Sequence, residues 1–436
     1  MEDGPGQAGH GGPVTRRRAL ALGAGGAAVL LGAGAGLLGT RSGDDGTPDA
    51  RATPPADAAQ AAGSFSPADA VTVLANRARA VRNGDRTAFL ATVATAPAAF
   101  QDVQSRLYGN LRKLPLDGWE ERAIATQTMD EKKGVAVIRM EVRSRLRGFD
   151  RGDVVRTRYL TLALSSGSWT IVGDGSARGF EDDAAIWDGG PLTVVRGRAS
   201  LVIGDPTTTG APGLEEIAKR LDAAVPVVTG VVGRGWARRV VALVPADAAL
   251  ASALAGPDQS LGDIAALATV TPSADGGRGQ DRVVISPGTF GRLNELGRDV
   301  VLTHELTHVA TGGARDRTTP LWLIEGFADY VGYLRADVGV RSAAGELRLE
   351  VAAGRVPSGL PAADAFSGGS ARLSQSYQEA WLACRMIAGR YGEATLVRLY
   401  RTAGRVPEAT ALRDVLGLTR DRFTALWRDY LKRELT

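Results

Sequence analysis

The sequence predicts an α+β protein of two folded units behind an N-terminal export or anchor segment. Three observations carry this. An uncharged apolar stretch, Ala19 to Gly39, follows Arg16-Arg17-Arg18. Residues 67–187 read as helices followed by long alternating strands, and residues 192–436 as short apolar strands followed by helices. With 436 residues and 44% hydrophobic content, the chain can bury a core in each unit.

The head of the chain, 1–40, is an export signal or a membrane anchor. A basic run ahead of 21 uncharged residues rich in Gly and Ala has the form of a secretion signal, and the paired arginines resemble the twin-arginine type. Left uncleaved, 19–39 is long enough to span a bilayer. Positive charge on its N-terminal side keeps that side in the cytoplasm and places the rest outside. The protein is therefore expected to be extracytoplasmic, either secreted or tethered to the cytoplasmic membrane through 19–39. No cysteine follows to carry a lipid. Gly34, Gly36 and Gly39 match a dinucleotide fingerprint formally, but they lie inside this segment and follow no strand. Residues 41–66 are Gly, Pro, Ala, Asp and Ser with few larger apolar side chains, which reads as a flexible linker.

In the first unit, Ala70, Val71, Leu74, Ala78 and Val81 make one helix face, closed by Asn83-Gly84-Asp85. A shorter helix carries Phe89, Leu90 and Val93. Strands are expected at Gly134 to Leu146, Val154 to Leu164 and Ser168 to Gly173, and the unit ends near Trp187. No convergent polar set is visible in it. In the second unit, Leu192 to Ile203 reads as a strand and Leu214 to Ala224 as a helix. Val240 to Val244 and Val283 to Ile285 are short strands, and Phe423, Leu426, Trp427 and Tyr430 mark an amphipathic C-terminal helix. Pro272 to Asp281, rich in Gly and Asp, reads as a loop.

Only three histidines occur, and two stand four apart in His304-Glu305-Leu306-Thr307-His308. Residues i and i+4 share a helix face, so both imidazoles can reach one cation, and neutral imidazole is a favoured zinc ligand. Glu305 points beside that face, within reach of a water at the metal. A catalytic zinc takes three protein ligands and keeps one position open. Downstream, Thr319-Pro320 reads as an N-cap and a first helical proline, which starts a helix through Glu325 and Asp329. Glu325 completes the ligand set. Asp329, four residues on, is placed to accept the remaining N–H of a ligating histidine.

These residues, with Trp322-x-x-Glu325-Gly326-x-Ala328-Asp329-Tyr330, resemble the gluzincin metallopeptidases, among them thermolysin and the aminopeptidase N group. The likeness is greatest to bacterial peptidase MA-like domains. It implies a zinc site of His304, His308 and Glu325, with Glu305 as general base and Asp329 supporting a histidine. It also implies a small sheet leading into a helical half over 192–436. Ser376-Tyr377-Gln378-Glu379-Ala380-Trp381 is similar to the aminopeptidase helix start whose tyrosine steadies the oxyanion, which assigns that role to Tyr377. The competing reading of Tyr377 is a helix-start residue packed on Trp381. No Gly-x-Met-Glu-Asn stretch precedes the motif, so the resemblance favours endopeptidase over exopeptidase action while leaving both open. The Ala80 to Asp85 stretch and the order of elements over 67–187 resemble the cone-shaped nuclear transport factor 2-like fold.

The expected activity is zinc-dependent peptide-bond hydrolysis on a peptide or protein substrate, with Glu305 taking the proton of the attacking water and Tyr377 stabilising the oxyanion. Val283 to Ile285, if it edges the cleft, could pair with an extended substrate. The alternative is a non-catalytic extracytoplasmic binding or scaffold protein that retains the fold. Composition excludes other classes. The net charge is +4 and the pI near 9.3, raised partly by Arg16 to Arg18. Elsewhere basic and acidic residues are interleaved, so no nucleic-acid stripe exists. Cys384 is the single cysteine, set in an apolar run and without a spare histidine to activate it.

Overall fold

A computed structural model describes residues 65–256, 261, 264–313, 316–367 and 370–436. The export segment and nearly all of the linker lie outside the described residues. Among the described residues no helix is long and apolar enough to cross a membrane. The architecture is mixed α+β, with two separate sheets.

The first unit opens with α1 (Pro67–Asn83), whose N-terminus is closed by a reciprocal Ser66–Asp69 capping box and whose C-terminus is ended by left-handed Gly84. The helices α2 (Arg86–Ala91) and α3 (Ala98–Leu111) follow. An antiparallel sheet then runs in sequence order: β1 (Leu116–Asp130), β2 (Val135–Leu146), β3 (Val154–Ser165) and β4 (Ser168–Asp174). Val71 is 54% exposed and does not belong to the buried face of α1 expected for it. The sequence reading omitted α3 and β1. A polar strand at a sheet edge, Leu-Asp-Gly-Trp-Glu-Glu-Arg, shows little alternation to detect.

The expected lack of convergent polar groups in this unit is corrected by the structure. Arg77 Nε lies 3.3 Å from Glu121 Oε2, and its Nη2 donates to Gln104 Oε1. Trp119 Nε1 donates to Glu121 at 3.1 Å. These side chains line a cavity of about 230 Å³ with Arg158 and Asp182. They lie on α1, α3 and β1, and two of those elements were not foreseen, so the convergence was hidden.

The second sheet has the order β5-β6-β7-β9-β8, with β5 (Thr193–Arg196), β6 (Ser200–Gly204), β7 (Val240–Val244), β8 (Ala266–Thr271) and β9 (Gln280–Ile285). Its three inner strands are parallel and both outer strands antiparallel. Leu192 to Ile203 is therefore two strands, not one. The turn between them is held by Asp222, whose carboxylate accepts from the backbone N–H of Arg198 and Ala199. The helix expected from Leu214 begins earlier, as α4 (Pro206–Val232), where Asp205 caps Thr207 N–H and Pro206 fills the first turn.

Alternate residues of the inner strands face opposite cores. Val202, Ala242, Val283 and Ile285 join a helical core, whereas Leu201, Ile203, Val241, Leu243 and Val284 join a cluster continuous with the first unit through Ile186, Trp187 and Leu192. Burial on both faces explains why these strands read as unbroken apolar runs. Beyond the sheet come α5 (Ala248–Ala255), between β7 and β8, and then α6 (Pro287–Gly291), α7 (Glu295–Thr311), α8 (Leu321–Gly332), α9 (Val340–Ala343), α10 (Gly345–Ala352), α11 (Leu373–Tyr391), α12 (Glu393–Ala403), α13 (Glu408–Leu416) and α14 (Arg420–Leu435). The site is built where α7, α8 and α11 pack together beside β8.

Candidate metal centre

Helix α7 carries the histidine pair. Asn294 caps its start by accepting from Gly297 N–H at 2.8 Å, and Gly312 ends it at a left-handed φ of 76°. Val300, Val301, Leu302 and Leu306 bury its faces, so the polar residues between them are buried as well. Pro320 is the N-cap of α8 and Leu321 its first residue, one position later than expected. The helix still brings Glu325 and Asp329 to the same side as α7.

His304, Glu305, His308, Glu325, Asp329 and Tyr377 are each no more than 4% exposed. His304 Nε2 lies 2.8 Å from His308 Nε2, and Glu325 Oε2 lies 3.2 and 3.5 Å from the two nitrogens. Among the described residues this is the one group of three His, Cys, Asp or Glu side chains close enough to hold a metal. His304 Nδ1 donates to Asp329 Oδ1 at 2.8 Å, which leaves Nε2 as the nitrogen turned to the cluster. Both Glu325 oxygens are buried and neither accepts a well-formed hydrogen bond. Two ring nitrogens and a carboxylate packed this closely in a buried site call for a cation among them, a proton or a metal ion. This donor set, two imidazoles and a carboxylate, suits zinc.

The electrostatics agree with that reading. Burial would lower the His304 pKa, but Asp329 and Glu325 beside it raise it to about 10. Burial would raise Glu325, but His308 and His304 hold its carboxyl down at about 2. Burial pushes Glu305 up to about 7, against the pull of His304 and His308.

Sequence reasoning missed three positions. The first is on β8: Ala268 N–H donates to Glu305 Oε2 at 2.6 Å and fixes that carboxylate. The strand beside the site is thus β8, the sheet edge, and not Val283 to Ile285, which lies in β9 between β7 and β8. The second is the packing role of Gly326, named in the motif without one, where a Cβ would stand 2.3 Å from the Ala380 carbonyl oxygen of α11. The third is Gly313, where a Cβ would stand 2.6 Å from His308 Nδ1. Glycines beside His308 and Glu325 were a readable signal of close backbone approach.

Tyr377 lies in the second turn of α11, which begins at Leu373 rather than at Ser376. Its ring sits edge-on to His304 with centroids 6.3 Å apart and packs against Phe366. The Trp381 ring packs against Tyr333, with centroids 4.6 Å apart. Cys384 is buried and free. No protein-family model matches the chain, and no curated protein matches it.

Proposed function

We propose that the chain is a zinc-dependent metallopeptidase of the gluzincin kind. In this reading residues 192–436 form the peptidase MA-like domain, 67–187 form a cone-like unit, and the protein works outside the cytoplasm on peptide or protein substrates. The observation that carries the reading is the convergence of His304 Nε2, His308 Nε2 and Glu325 Oε2 within 3.5 Å, beside a buried Glu305 pinned to a sheet edge. A zinc held by His304, His308 and Glu325 would lower the pKa of water towards neutrality and polarise a carbonyl.

The protein groups have separate tasks. Asp329 holds the His304 ring in the tautomer that leaves Nε2 free. The Glu305 carboxylate takes a proton from the attacking water and passes it to the leaving nitrogen. The Tyr377 hydroxyl donates to the oxyanion that develops on the scissile carbonyl. A non-catalytic binding protein on this fold has no use for a base beside the ligands, yet Glu305 is present and held. Replacing Glu305 by Gln tests the reading: zinc content and melting should be unchanged while peptide hydrolysis falls by about 10² to 10⁴. Near-normal hydrolysis by that variant would remove Glu305 from the mechanism.

A further inference from the structure

A hollow of about 280 Å³ lies where the two folded units meet, and arginines gather at it. The β2–β3 turn of the first unit contributes Phe149 and Arg151, the segment before β7 contributes Trp236 and Arg239, and the β8–β9 hairpin contributes Arg278 and Arg282. Stretches far apart in sequence thus each bring a guanidinium to one space. Junctions between folded units are common places for small-molecule sites. An adjoining open hollow is lined by Arg238 and again by Arg239. Arg238 holds a left-handed backbone, φ 54°, which a residue with a side chain adopts only where its surroundings enforce it.

The charges there are unbalanced. Arg282 is spent on Asp150 at 2.7 Å, a pair whose side chains are 5% and 1% exposed. The others differ. Arg151, Arg238 and Arg278 are exposed, and among the described residues none of them forms an ion pair with a carboxylate. Arg239, also exposed, donates to the Gly148 carbonyl oxygen. A Cβ at Gly148 would lie 3.2 Å from Arg239 Nη1 and 3.7 Å from Arg196 Nη2, so a further guanidinium stands at the same turn. Against these, Asp275 and Asp281 line the hollow. The Asp275 carboxylate is turned to its own loop, accepting from the Ser273 hydroxyl and from Gly277 N–H. The buried Trp236 Nε1 has no acceptor either. Positive charges gathered without matching acids repel one another, and the planar fork of a guanidinium fits carboxylate or phosphate oxygens.

We propose that this hollow binds a small dianionic oxyanion, an organic phosphate or a dicarboxylate, gripped by Arg151, Arg239 and Arg278 at the junction of the two units. The site goes beyond the metallopeptidase reading and does not depend on it. The three arginines are exposed, so an anion reaches them from solvent without any part of the fold moving. The space is smaller than the range of roughly 300–1,000 Å³ usual for drug-sized ligands, which restricts the occupant to a small molecule. An anion held by Arg151 on one side and by Arg239 and Arg278 on the other braces the two units against each other. Because it binds the folded chain and not the unfolded one, it raises the melting temperature as its concentration rises.

The test is calorimetric titration of the full chain with inorganic phosphate and with succinate, at low ionic strength, where attraction to exposed arginines is least screened. One saturable site is expected, and the tighter anion tells whether phosphate or carboxylate is the preferred group. Arg151→Ala and Arg278→Ala should each weaken binding by about tenfold or more, the loss of one charge-assisted hydrogen bond. Both residues are exposed, and melting of each variant without anion checks that it is folded. Arg348→Ala, which removes an exposed arginine of α10, and His308→Ala should bind as the parent does. Absence of saturable binding for both anions, or unchanged binding in the folded Arg151 and Arg278 variants, would overturn the proposal. Equal weakening by Arg348→Ala would overturn it as general charge attraction, and loss in His308→Ala would move the anion to the metal centre. Binding of a tetraglutamate peptide but of neither small anion would overturn it in favour of an acidic protein segment.

Discussion

Replacing Gly326 by alanine separates the packing account from ordinary helix behaviour, because the two predict opposite signs. In an unconstrained helix interior, Gly to Ala stabilises by roughly 0.5–1 kcal/mol. Here a Cβ would lie 2.3 Å from the Ala380 carbonyl oxygen and 3.1 Å from Cys384 Sγ. The first contact is about 1 Å short of an ordinary approach, and its partner is backbone, which cannot swing aside. Helices α8 and α11 must part, at an overpacking cost of about 1–3 kcal/mol. Glu325 is the neighbouring residue, and metal ligands tolerate displacements of only about 0.5 Å. Zinc affinity should therefore fall by about 10- to 100-fold, the range found when a ligand's support is lost. Thermal unfolding with and without chelator reads the first effect, and competition against a chromogenic chelator reads the second. A variant that melts at or above the parent temperature and holds zinc equally well would refute the close α8–α11 contact.

Two further outcomes follow from the same geometry. Asp329→Ala removes the acceptor for His304 Nδ1 and should weaken zinc by about 10- to 100-fold without unfolding the protein; equal resistance to a chelator would make Asp329 dispensable. Zinc must also displace the proton that His304 keeps up to about pH 10. As pH falls below that value, apparent affinity should weaken by about tenfold per unit, with roughly one proton released per zinc near pH 8. Calorimetric titration in buffers of different ionisation enthalpy counts that proton, and zero release would contradict the His304–Asp329 arrangement.

Much of the site was legible because it is built on helices. The i, i+4 spacings of His304 with His308 and of Glu325 with Asp329 survive any error in helix boundaries, and Pro320 misplaced the start of α8 by one residue only. Sheet position was less legible. Val283 to Ile285 invited an edge assignment because it precedes the histidine helix, yet apolar residues facing both ways mark an inner strand. The true edge, Ala-Leu-Ala-Thr-Val-Thr, has too little bulk and contrast to show period two. Relations between the two units were invisible: Asp150 and Arg282 are far apart in sequence and meet only through tertiary packing. The paired arginines and the apolar stretch 19–39 lie outside the described residues.

Metal content decides whether His304, His308 and Glu325 hold a zinc ion. Elemental analysis of the purified full chain should find one zinc per molecule, lost in His308→Ala while the fold persists. Equal zinc in parent and variant, or none in the parent after loading at neutral pH, would mean that these three residues do not form a zinc site.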